Sequence, residues 1–154
     1  MSGKRFGNAS GAALIEFALA FPVFWLALFA IIDFSRLMFS MGLGAETTRR
    51  AARMASICSM DPSQHTLIRQ KLRPFIEASG QIQSLGTDWL VISYQPAGCN
   101  AETCRFVSAR LNQVSPVLAV PGVSSSITLP AYPVTLPREA MSNSVTGASN
   151  AACS

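Results

Sequence analysis

Gly11 and Glu16 are the first residues whose types and spacing suggest chemistry. A cut after Gly11 would leave Ala12 with a new α-amine and make Glu16 the fifth residue of the shortened chain. A carboxylate and an ammonium one helical turn apart could then compensate one another, within one chain or between neighbours in a staggered bundle. A plainer place for Glu16 is the headgroup level of a membrane, near a helix start whose unbonded N–H groups favour negative charge. The other reactive side chains are Cys58, Cys99, Cys104, Cys153 and a single histidine, His65.

None of these assembles into a catalytic site by spacing. The C-x4-C of Cys99 and Cys104 is neither a thioredoxin-like C-x-x-C nor half of a zinc site. His65 has no cysteine or carboxylate cluster in helical register and is placed in a solvated first helical turn, not on a metal or in acid–base catalysis. No Ser-His-Asp arrangement, paired acids or phosphate-cradling glycine loop is visible. The chain therefore reads as a non-enzyme without cofactor or metal. Four cysteines in a small chain suit an oxidising compartment. They allow three pairings; the short loop favours Cys99–Cys104, with Cys58–Cys153 as its companion if both bridges form.

The element that must position Gly11 and Glu16 is apolar. Phe17–Ile32 is sixteen residues without a charge or polar side chain. Taken as one helix, Ala12–Asp33 is roughly 33 Å long, against a hydrocarbon core of roughly 30 Å. Pro22 should bend it, which a membrane helix tolerates better than a soluble one. A buried helix of a soluble domain is the alternative, but a chain of 154 residues has little left to wrap a helix apolar all round. A secretory signal cut near Gly42-Leu43-Gly44 is a second alternative. Against it stand Glu16 and an apolar run longer than the usual ~7–15-residue core.

The run from Gly11 to Arg36, GAALIEFALAFPVFWLALFAIIDFSR, resembles type IV pilin-like proteins, and specifically the TadE-like pseudopilins of the tight-adherence (Flp) pilus system. Glycine, four residues and then Glu16-Phe17 resembles a prepilin peptidase site; Pro22 and the Asp33-Phe34-Ser35-Arg36 exit strengthen the likeness, which covers about residues 11–53. The resemblance implies a processing site at Gly11, Ala12, Glu16 and Phe17, with the apolar helix kept. It implies that this helix packs against other pilin helices, with Phe21, Pro22, Phe24 and Leu28 as packing residues. It further implies a sibling pseudopilin, the major pilin, an inner-membrane assembly platform and the prepilin peptidase as partners, beside the lipid bilayer. A single-pass anchored binding module unrelated to pili is the other reading.

Orientation follows from the flanks. Lys4 and Arg5 in an acid-free leader favour a cytoplasmic N-terminus. Arg36, Arg49, Arg50 and Arg53 on the other flank count the other way, and the cysteines break the near-tie by placing the remainder outside, in what the resemblance implies is a bacterial inner membrane. The net charge of +4 invites a nucleic-acid reading, yet Arg49, Arg50 and Arg53 are the only tight basic cluster outside the leader, and no recognition motif accompanies them. They are expected to form a plain surface helix, or to meet lipid headgroups or an acidic partner.

The expected fold is α+β: a long membrane helix that extends out of the bilayer, then a small domain with a short helix and an antiparallel sheet. Residues 1–11 form the leader, 12–35 the span, 36–57 the extramembrane continuation, 58–141 the domain and 142–154 a polar tail. Leu37, Met41, Gly44/Ala45, Thr48, Ala51/Ala52 and Ala55 give the continuation a small-residue stripe, with Gly42 and Gly44 marking a hinge at the membrane exit or a close contact with a partner helix. Asp61-Pro62 starts the short helix, Leu67, Ile68, Leu72, Phe75 and Ile76 form its apolar face, and Pro74 should kink or restart it. Strands are predicted over 81–85, 89–95 as an interior strand, 105–111 and 123–129, with 131–136 confined to an edge by prolines. The tail beyond Met141 shows little reason to fold except at Cys153.

Overall fold

Leu, Ala, Phe and Ile dominate the apolar run and accept helical dihedrals readily. In the computed structural model, which describes residues 9–82, 84–117, 127–145 and 147–154, that run belongs to α1, Ala9–Ile57, a helix of 49 residues. At about 1.5 Å per residue it is roughly 74 Å long, more than twice a hydrocarbon core of roughly 30 Å. It passes unbroken through Pro22, Gly42 and Gly44. From Asp33 onward one side is buried under the domain: Asp33, Leu37, Ser40, Leu43, Thr47, Thr48, Ala51, Ala52 and Ala55. Small residues dominate its upper part, so the other elements approach the helix axis closely. Gly44 is the tightest point, because a Cβ there would lie 3.1 Å from Leu111 Cδ1 and 3.2 Å from Tyr132 Cε2. The close contact at Gly44 is thus with the chain's own sheet domain rather than with the partner helix expected, and nothing lies within 4 Å of a Cβ placed on Gly42.

α1 ends before Pro62, which holds Asp61 in an extended conformation (φ −64°, ψ 141°). α2 follows over Pro62–Glu77. Asp61 makes no side-chain cap; its Oδ2 accepts from Ser59 Oγ instead, and the backbone N–H of Gln64 donates to Asp61 O. Ile68, Leu72 and Ile76 are buried, each stabilising by about 1.5–3 kcal/mol relative to exposure. Pro74 does not restart the helix, which runs on through it to Glu77. It sits in the last turn with its ring exposed, and Gln70, whose carbonyl loses its helical donor, is exposed too. Gly80, at φ 69°, turns the chain away after its N–H donates to Glu77 O.

The sheet is antiparallel in the order β1 (Leu90–Gln95), β2 (Phe106–Leu111), β3 (Val134–Pro137). Leu90 faces Leu111, Ile92 faces Ala109 and Tyr94 faces Val107, so one face turns these side chains toward α1. The opposite face carries Ser93 opposite Ser108 and Gln95 opposite an exposed Phe106. β1 was expected inside the sheet and is at its edge. β2 already pairs on both sides, and α2 covers the outer edge of β1, where Arg69 Nε donates to Leu90 O at 3.0 Å. Edge placement of β3 agrees with its prolines, since Pro137 has no N–H to offer. Residues 81–85 form no strand among the described residues: Ile82 is buried, and the one cross-chain ladder bond is Val117 N–H to Gln81 O, 2.8 Å. The strand expected over 123–129 lies mostly outside the described residues; Ile127, Thr128 and Leu129 are not in one.

Beyond Met141 the tail folds, against expectation. It forms the hairpin β4 (Ser144–Val145) and β5 (Ala148–Ser149) and caps the end of α1. Glu139 N–H donates to Ser56 O and Ser142 N–H to Ile57 O, carbonyls that a helix end leaves unbonded, while Asn143 Oδ1 accepts from Ser59 N–H. A mostly polar segment is held because it satisfies backbone groups rather than because it buries apolar area. Cys153 is disulfide-bonded to Cys58 at the same place, and Cys99 to Cys104 in the β1–β2 connection.

Candidate membrane span and helix-docking surface

Gly11, Ala12, Glu16 and Phe17 all lie in the first turns of α1 and are exposed. The Gly11–Ala12 bond is thus helical, and nothing lies within 4 Å of a Cβ placed on Gly11. Ala12 and Glu16 are four residues apart, which puts them on one helical face. No side chain from the domain covers this stretch: from Leu14 to Ile32 the large apolar residues are exposed, apart from a half-buried Leu28. A helix of this length and hydropathy is able to cross a membrane, and its apolar side chains are turned outward, as lipid would require.

The exposed span has relief. Phe17, Phe21, Trp25 and Phe29 form a ladder of ring contacts, tilted, edge-on and tilted in turn, with centroids 5.5, 5.9 and 5.7 Å apart. Each is four residues from the next, so the ladder drifts about 40° around the helix at every step. Ala20 sits between Phe17, Phe21, Phe24 and Trp25 at the bottom of a cleft of about 350 Å³. Of the four residues expected to pack against other helices, Phe21 and Phe24 line this cleft, and Pro22 and Leu28 do not. Ala20 and Trp25, which also line the cleft, were not singled out by sequence reasoning, although the four-residue spacing of Phe17, Phe21 and Trp25 was there to be read.

Above the span, Ser40 Oγ donates to Gln81 Oε1 at 2.9 Å, fixing the domain to α1 at a buried polar contact. The basic group splits by position. Arg50 pairs with Glu46 at 2.8 Å and lies over the Phe75 ring at 4.2 Å. Arg49 and Arg53 are exposed and make no ion pair among the described residues.

His65 is not simply solvated. It is half-buried against β1, stacked on Tyr94 and within 2.9 Å of its hydroxyl through Nε2. Burial first, then the Arg69 charge, lowers its pKa against an opposing pull from Asp61. Burial pushes the Tyr94 hydroxyl up to about 12. The pair joins α2 to the sheet, and it opens onto none of the domain's clefts. The largest of these, about 530 Å³, is lined by Glu102, Thr103, Arg105, Arg138 and a disulfide-bonded Cys104, so it offers no activated nucleophile. Among the described residues no group of three or more His, Cys, Asp or Glu could hold a metal ion.

A family model described as TadE-like protein matches residues 11–53, so a TadE-like segment is present over the span and the basic end of α1. No curated protein matches the chain, and no solved structure does.

Proposed function

We propose that this chain is a pseudopilin or minor pilin of a Tad/Flp-type pilus, processed by prepilin peptidase between Gly11 and Ala12 and held in the bacterial inner membrane by α1. The observation that carries the reading is one exposed apolar helix, with the glycine and glutamate in its first turns, that continues unbroken to the base of a small domain and whose residues 11–53 match the TadE-like model. The leader stays cytoplasmic and the domain, with its two disulfides, is extracytoplasmic. The role is structural: the peptidase performs the chemistry and this chain is its substrate. Its partners are a sibling pseudopilin, the major pilin and the membrane platform that assembles them. Cleavage near Gly44 by a signal peptidase fits poorly, because it would remove Leu37, Ser40 and Leu43 from beneath the domain.

The helical setting of the scissile bond gives the peptidase one requirement. The first turn must open before the Gly11 carbonyl can be attacked, which costs little at an exposed helix start. Glycine lowers that cost by roughly 1 kcal/mol relative to alanine. Intact-mass analysis of membranes with active prepilin peptidase should find a chain beginning at Ala12. Gly11→Leu should remain full length, and Glu16→Gln, which keeps the cleavage site, should still be cut. A mature start near Ala45, or an uncut wild-type chain beside an active peptidase, would refute the reading.

A further inference from the structure

We propose that the side of α1 turned away from the domain is a docking seam for one other long helix, which runs from inside the bilayer to Arg49 and Arg53. The helix that fits it carries carboxylates at that upper level and is not a second copy of this chain. The inference deepens the pseudopilin reading and rests on it for the partner's being another membrane helix.

At about 100° per residue, the domain-facing residues Asp33, Leu37, Ser40, Gly44, Thr47 and Ala51 fall on one side of α1. Opposite them, inside the span, are Phe17, Ala20, Phe24, Ala27 and Ile31, all exposed. The same line continues outside through Phe34, Met38, Gly42, a half-buried Ala45 and Arg49, with Arg53 one turn on, at the rim of a cleft it shares with Leu72 and Ala152. Intervals of three and four residues hold from end to end, the spacing that lets two helices interlock side chains. Large and small residues alternate from Phe17 to Ile31, with the Ala20 cleft between Phe17 and Phe24, and farther up Gly42 has open space where a Cβ would be. Small residues are what membrane helix contacts use to bring backbones together. The aromatic ladder leaves this line at Phe21 and winds toward the domain side, so it is left facing lipid.

Lipid accounts for only the lower end. Phe34 is 61% and Met38 44% exposed. They stand roughly 3 and 9 Å beyond Ile32 along the helix, and Gly42 roughly 15 Å, past a headgroup layer of about 5–8 Å. A second copy in parallel register is disfavoured by charge. It would set Arg49 against Arg49 and Arg53 against Arg53, and the carboxylate on this flank, Glu46, is already held by Arg50. A partner helix bearing acids at that height turns both repulsions into attractions.

The test uses the full chain against a variant of itself that carries the missing acids, Arg49→Glu/Arg53→Glu. The two are co-produced with N-terminal fluorescent tags in one membrane of a host lacking prepilin peptidase, and energy transfer is measured. The mixed pair should associate about tenfold more tightly than either chain with itself, as two like-charge contacts become opposite-charge ones, and added salt should shrink the difference. Ala20→Leu or Gly42→Leu should reduce the mixed pairing at least tenfold, while Phe29→Ala, on the ladder, should leave it unchanged. Equal self-pairing and mixed pairing, no pairing in any mixture, or indifference to both Ala20→Leu and Gly42→Leu would each overturn the proposal. None of these readouts depends on cleavage after Gly11, so a failed seam and failed processing are told apart.

Discussion

Gly42 and Gly44 are two residues apart on one helix, and the structure predicts opposite signs for the same substitution at each. Alanine in place of glycine in a helix interior gains up to about 1 kcal/mol at either site. At Gly42 nothing lies within 4 Å of the new methyl, so Gly42→Ala should stabilise the domain-bearing half of α1 by about 0.5–1 kcal/mol. At Gly44 the methyl would stand 3.1 Å from Leu111 Cδ1 and 3.2 and 3.4 Å from Tyr132 Cε2 and Cδ2. Ordinary carbon contacts lie at about 3.5–4.0 Å, so both neighbours must give by a few tenths of an ångström. Leu111 is 3% exposed and wedged in the core, which leaves it little room. Overpacking of this kind costs about 1–3 kcal/mol, which outweighs the propensity gain and leaves Gly44→Ala neutral to about 2 kcal/mol worse. The assay is urea unfolding of the full chain in detergent micelles, followed by Trp89 emission in a Trp25→Phe background. Helix propensity cancels between the two variants, so their difference isolates the packing cost. Should Gly44→Ala stabilise as much as Gly42→Ala, the close approach of β2 to α1 is wrong.

The two disulfides close loops of very different size, with sequence separations of 95 and 5. By loop entropy, removing Cys58–Cys153 as a double serine variant should cost about 4–5 kcal/mol and removing Cys99–Cys104 about 2; equal costs by denaturant titration would contradict this pairing. For His65 the folded pKa lies below the ordinary 6.5, so the unfolded chain binds more protons as pH falls through that value. Stability should therefore be full above about pH 6.5 and decline below it, and His65→Asn should flatten this slope in pH-dependent melts. Tyr94, raised to about 12, adds a loss of stability on going from pH 10 to 12 that Tyr94→Phe should remove.

Much of the architecture was legible because it rests on local patterns. Sixteen apolar residues in a row demand a helix in lipid, whatever follows them. Asp61-Pro62 sets a helix start by fixed dihedrals, and the alternation of Val107, Ala109 and Leu111 marks a half-buried strand. Where the reading missed, the outcome depended on a residue far along the chain. Pro74 does not break α2 because the Gln70 carbonyl it leaves without a helical donor faces water. β1 reads as interior from its own apolar faces, yet α2, not a strand, lies on its outer edge. His65 looks solvated until Tyr94, 29 residues away, stacks on it.

The tail makes the division plainest. Composition left residues 142–154 without a reason to fold, since they bury little apolar area. The reason lies at the other end of the domain, where α1 stops with carbonyls of Ser56 and Ile57 unbonded and Cys58 within bonding distance of Cys153. The apolar run, the positions of glycine and proline and the cysteine count belong to the sequence alone, because each acts through dihedral preference or solvation of its own residue. Which side of α1 the domain covers, and therefore which side is left bare from Phe17 to Arg53, was decided only by tertiary packing. The helix is apolar on every side within the span, so nothing local distinguishes one face from another until Asp33, Leu37 and Ser40 are buried under the sheet and the connecting segments.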